Sequence, residues 1–151
     1  MGVGMVVGVV VLLAVVGITQ WWVLRRWIAL TGWWVGPTTG GLALASCIGS
    51  AVAWVLASSV GTAVSGLVGG AVAGAAFGGL QWLVLRRQVA RAGWWVVAST
   101  LGWAMGFAVV GAVASTSGWP VGWLLGGVAG GALYGATTGM ALMWLLRPPQ
   151  T

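Results

Sequence analysis

Three apolar runs of twenty or more residues stop at arginine: Leu24 gives way to Arg25-Arg26, Leu85 to Arg86-Arg87, and Leu146 to Arg147. A helix rises 1.5 Å per residue, so about 20 residues cross the ~30 Å hydrocarbon core of a bilayer. Backbone in lipid must satisfy its own hydrogen bonds, which leaves helices and closed barrels. Barrel strands would alternate apolar and polar over about 10 residues. These runs are continuously apolar, with glycines every fourth residue. The expected class is all-α, an integral membrane helical bundle.

Five transmembrane helices are expected, over residues 3–24, 34–57, 63–85, 94–114 and 121–146. Short connectors cover 27–32 and 88–93, and turns cover 58–62 and 115–120. Pro37 and Pro120 fall near helix starts, where a missing N–H costs least. The N-terminal run has no basic n-region and no clear cleavage site, so it reads as a retained helix. Val6 stands where a myristoylation signal wants Ser or Thr. The whole chain, 1–151, is expected to be one transmembrane domain.

Composition removes the water-soluble alternative. Charged residues make up 4% of the chain and hydrophobic ones 60%, where a soluble domain carries roughly a quarter charged. Asp, Glu, His and Lys are absent, and all six charges are arginine, for a net charge of +6. A nucleic-acid partner would need a basic face on a water-exposed fold. Here Arg25, Arg26, Arg86, Arg87, Arg91 and Arg147 sit at the ends of apolar runs, where anionic lipid headgroups are their natural partners. In an antiparallel array these ends share one side, and the turns on the other side carry no charge. The positive-inside rule places the arginine side in the cytoplasm, with the N-terminus outside and the C-terminus inside. Tryptophans crowd the arginine side (Trp82, Trp94, Trp95 and Trp144 among them), while Trp54, Trp119 and Trp123 mark the other. Cys47 stands alone in an apolar run and reads as a small buried residue.

The chain also repeats. Residues 20–35, QWWVLRRWIALTGWWV, match residues 81–96, QWLVLRRQVARAGWWV, at eleven of sixteen positions with an offset of 61. Chance would give about one or two matches. The same offset carries Gly66, Gly70, Gly74 and Gly78 onto Gly127, Gly131, Gly135 and Gly139, and Arg86 onto Arg147. The unit is two helices long, so successive units are parallel repeats of 61 residues, about 4–64, 65–125 and 126–151. The third holds only its first helix, which is expected to leave one edge of the array without a neighbour.

Lipid gives little hydrophobic drive to bring helices together. Close backbone approach and interhelical hydrogen bonds do that work. The glycine stripes 66/70/74/78 and 127/131/135/139 are therefore the candidate helix-packing faces. Each could pack within the chain, receive a partner helix or flat lipid-like ligand, or line an oligomeric pore. Gln20 and Gln81 lie inside helix ends and are expected to hydrogen-bond across helices, with gating or substrate binding as the rarer reading.

Catalytic chemistry is sparse. Without carboxylate, imidazole or lysine there is no ordinary acid–base pair, and no base to activate a hydroxyl. No metal-ligand spacing occurs, and haem lacks its usual histidine. No cofactor is expected, although grooves and aromatics suit a bound lipid, carotenoid or quinone. QWLVLRR…AGWWV preceded by spaced glycines resembles uncharacterised bacterial polytopic membrane proteins, most clearly over 66–103. That resemblance implies a multi-pass helical protein of a bacterial inner membrane and carries over no functional residues. The leading expectation is a non-enzymatic scaffold or accessory subunit. It would associate with itself or with other membrane subunits, as in a respiratory or photosynthetic complex. A homo-oligomeric channel or conduit, or a carotenoid, quinone or lipid binder, is the alternative.

Overall fold

The computed structural model describes residues 35–87, 89–117 and 119–145. The secondary structure among the described residues is all helical: α1 spans Val35–Leu85, α2 Gly93–Ser117 and α3 Trp119–Leu145. Two of these helices are long and apolar enough to cross a membrane. The expected first helix at 3–24 lies outside the described residues.

α1 is two helices joined at one residue. Gly61 has φ 78° and ψ 166°, a conformation essentially closed to side-chain-bearing residues. The chain reverses there, and the arms 35–60 and 62–85 lie antiparallel. A Cβ built on Gly49 would meet the Gly69 carbonyl oxygen at 2.5 Å, and one on Gly41 would meet Leu80 Cδ1 at 2.9 Å. The expected turn over 58–62 is thus much tighter, because Ser58 and Ser59 stay helical up to the single glycine. The turn expected over 115–120 is likewise short. Ser115 and Thr116 donate to the carbonyls of Ala112 and Val113 at 2.7 and 3.0 Å, satisfying C-terminal acceptors and carrying α2 to Ser117.

Residues 86–87 and 89–92 lie in the connection between α1 and α2 and make local backbone hydrogen bonds. Arg86 and Val89 N–H groups continue the α1 pattern to Trp82 and Leu85 carbonyls at 2.8 and 2.9 Å. Bonds from Ala92, Trp94 and Trp95 to the third residue back lead into α2, at 3.2, 3.1 and 3.0 Å. One end of the bundle therefore gathers Arg86, Arg87 and Arg91, with Leu85, Ala92 and Trp95 buried beneath Leu142 and Leu145. The other end holds Gly61 and Thr62, whose hydroxyl donates to Gly111 O at 3.1 Å, and it carries no charge among the described residues.

Burial is inverted relative to a water-soluble domain. Leu44, Val55, Leu101, Val128, Met140 and Met143 are exposed, and Trp54 is 83% exposed. The interior is built of glycine, alanine and hydroxyl residues around a few aromatics. Small residues let backbones approach, and apolar bulk is turned outward.

Candidate functional site

The two glycine stripes have different surroundings. Cβ atoms built on Gly66 and Gly74 would each lie 2.5 Å from a carbonyl oxygen of α2, those of Phe107 and Ser99. One on Gly70 would collide with the Trp103 carbonyl, and one on Gly78 would stand 2.8 Å from Ser99 Cβ. Real Cβ atoms do not approach backbone so closely, so this face is filled by α2. The stripe on α3 has no such partner among the described residues: Cβ atoms built on Gly127, Gly131, Gly135 and Gly139 would meet nothing described within 4 Å.

Glycine doublets explain the difference. Adjacent residues on a helix point about 100° apart, so a pair can serve two neighbours. Gly69 meets Gly49 of the preceding arm, while Gly70 meets Trp103 of the following helix. On α3, Gly126 and Gly130 face the preceding helix, with built Cβ atoms 2.7 Å from Val110 Cα and 2.7 Å from Gly106 O. Their partners Gly127 and Gly131 face outward to nothing described. Sequence reasoning singled out the four-residue stripes and missed Gly49, Gly69, Gly106 and Gly130, where backbones cross. The doublets 69/70 and 130/131 were the available signal for two of these, while Gly49 and Gly106 stand singly and carried none.

A layered interior backs these faces. Leu42, Phe77, Trp103 and Tyr134 pack together, with Trp103 centred 6.0 Å from Phe77, 5.3 Å from Phe107 and 5.8 Å from Tyr134. Four residues along each helix toward the arginine end stands a buried polar residue: Thr38, Gln81, Ser99 and Thr138. Gln81 is 1% exposed, and its Oε1 accepts from Trp95 Nε1 at 2.8 Å, an interhelical bond in the interior. Thr138 donates to Tyr134 O at 2.7 Å. The Thr38 and Ser99 hydroxyls have no hydrogen-bond partner among the described residues. Each such group costs about 1–3 kcal/mol.

The arginines stand outside this core. Arg86 lies 5.1 Å from the centroid of the Trp82 ring, and Arg91 5.3 Å from that of Trp144. Arg87 is exposed. Gln20, Arg25, Arg26 and Arg147 lie outside the described residues. Cys47, read from sequence as buried, is exposed on the outer side of the first arm. Its run is apolar all round, so the pattern does not mark which side faces in. No group of three or more His, Cys, Asp or Glu exists among the described residues to hold a metal.

No family model, curated protein or solved structure matches this chain.

Proposed function

We propose that this chain is a non-enzymatic helical membrane scaffold or accessory subunit that docks a partner helix on the open glycine face of α3. One observation carries it. The stripe Gly66/Gly70/Gly74/Gly78 is filled by a helix at backbone contact, and the stripe 61 residues later in the same spacing has no neighbour among the described residues. A second copy of the chain in the same membrane orientation can lay its own stripe against this one. Such a parallel pair is the usual small-residue crossing in lipid.

The membrane setting is supported by the inverted burial and by the two long apolar helices. Arginine at one end and none at the other favours the arginine end as cytoplasmic, in a bacterial inner membrane. The absence of carboxylate, imidazole and lysine from the sequence favours a non-enzymatic role. A conduit is less favoured, since Phe77, Trp103 and Tyr134 fill the described bundle's interior.

Native mass spectrometry of gently solubilised membranes tests the proposal. Species heavier than the 15.3 kDa chain are expected, and Gly131→Leu with Gly135→Leu should abolish them. A wild-type protein found only as monomer, with no other subunit attached, would sink it.

A further inference from the structure

Beside the first turn of α2 lies an open cleft of about 320 Å³, lined by Arg91, Gly93, Trp94 and Val97. Its surface is almost wholly apolar, and Arg91 is the charged residue among its described lining, with the guanidinium at its edge. Trp144 positions that group: the guanidinium carbon lies 5.3 Å from its ring centroid, and the same ring meets Trp94 nearly edge-on at 6.0 Å and 79°. A guanidinium beside a ring still carries five N–H donors that an anion can accept from. The chain has no Asp or Glu, so no side-chain carboxylate can fill that role. No side chain of the protein can supply that anion, whereas a lipid phosphate at the membrane boundary can.

Below the guanidinium, Trp94, Val97, Leu101 and Met105 are all exposed and follow one another along one face of α2. They cover about 16 Å of helix rise. A phosphate on Arg91 therefore has an apolar track leading from it toward the bundle's middle. We propose that this cleft binds one anionic phospholipid, its phosphate on Arg91 and an acyl chain along Trp94, Val97 and Leu101. The site rests on the membrane reading given above and adds to it a specific ligand position.

The probe is phosphatidylglycerol, added to delipidated protein in neutral detergent and followed by native mass spectrometry, with phosphatidylcholine as the uncharged comparison. Wild type is expected to retain one phosphatidylglycerol, and Arg91→Gln to weaken it about fivefold or more. Arg87→Gln should leave it unchanged, and Trp94→Ala should weaken it without changing charge. Arg91→Lys keeps the charge but loses the two-pronged geometry, and should fall between wild type and Arg91→Gln. It also serves as the folded variant if Arg91→Gln loses helicity. Equal retention by wild type and Arg91→Gln, equal retention of phosphatidylcholine, or displacement by millimolar inorganic phosphate would each overturn the lipid site. Flotation with phosphatidylcholine vesicles separates the two levels. Protein that does not float refutes the membrane reading and the site together. Protein that floats, yet is indifferent to Arg91→Gln, refutes the site alone.

Discussion

Gly74 and Gly135 are related by the 61-residue offset and have opposite surroundings. A Cβ on Gly74 would lie 2.5 Å from Ser99 O and 2.8 Å from Thr100 Cα, both backbone atoms that cannot rotate away. Gly74→Ala must push α2 off the second arm of α1, at about 1–3 kcal/mol for overpacking. A Cβ on Gly135 meets nothing among the described residues within 4 Å, so Gly135→Ala clashes with none of them. It gains helix propensity, up to about 1 kcal/mol. Unfolding of the detergent-solubilised monomer should show the two substitutions acting in opposite directions. If both destabilise alike, the α3 stripe is already covered within the chain.

At the scale of the element, everything in α1 turns on Gly61. Its φ of 78° with ψ of 166° lies where a Cβ collides with the chain's own backbone, so open space around it gives no relief. Gly61→Ala should cost about 1–3 kcal/mol and loosen the hairpin. Ala substitution at Gly40, which also has open surroundings but ordinary helical backbone, should be neutral or mildly stabilising. Denaturant titration of the two variants checks this, and equal midpoints would refute the strained-turn account. The helical class was legible because long apolar runs permit little else. The extent of the turns was not. Ser58, Ser59, Ser115 and Thr116 look like turn residues, yet they remain helical, and Ser115 and Thr116 return their hydroxyls to carbonyls three residues back. Gln81 was legible as a residue needing a partner, but its pairing with Trp95 was not. Which side chains meet depends on how far one helix slides past the next, and that is set by which glycines touch. An edge without a neighbour was legible from the third repeat, which holds only its first helix, but which glycines would face it was not, since the spacing of 127/131/135/139 is identical to that of the filled stripe.

For the whole molecule, the missing residue types have a consequence for pH. Stability changes with pH only where folded and unfolded states bind different numbers of protons. Between about pH 5 and 7 that difference comes mainly from carboxylates and imidazoles, and this chain has none among its side chains. Guanidinium groups do not titrate in proteins, so the net charge of +6 persists across the window. The sign of the slope is then neither positive nor negative: the thermal midpoint in neutral detergent should stay level, within about 2 °C, from pH 5 to 7. Retention of phosphatidylglycerol by the detergent-solubilised protein should be equally indifferent to pH. It should nevertheless fall as salt rises, because exposed arginines at the bundle end are screened over about 10 Å at 0.1 M. Calorimetry and lipid-retention measurements read the two quantities separately. A midpoint that climbed or fell by more than about 5 °C across the window would mean that some other group changes its proton occupancy on folding. The arginine-only account of this molecule's electrostatics would then have to be abandoned.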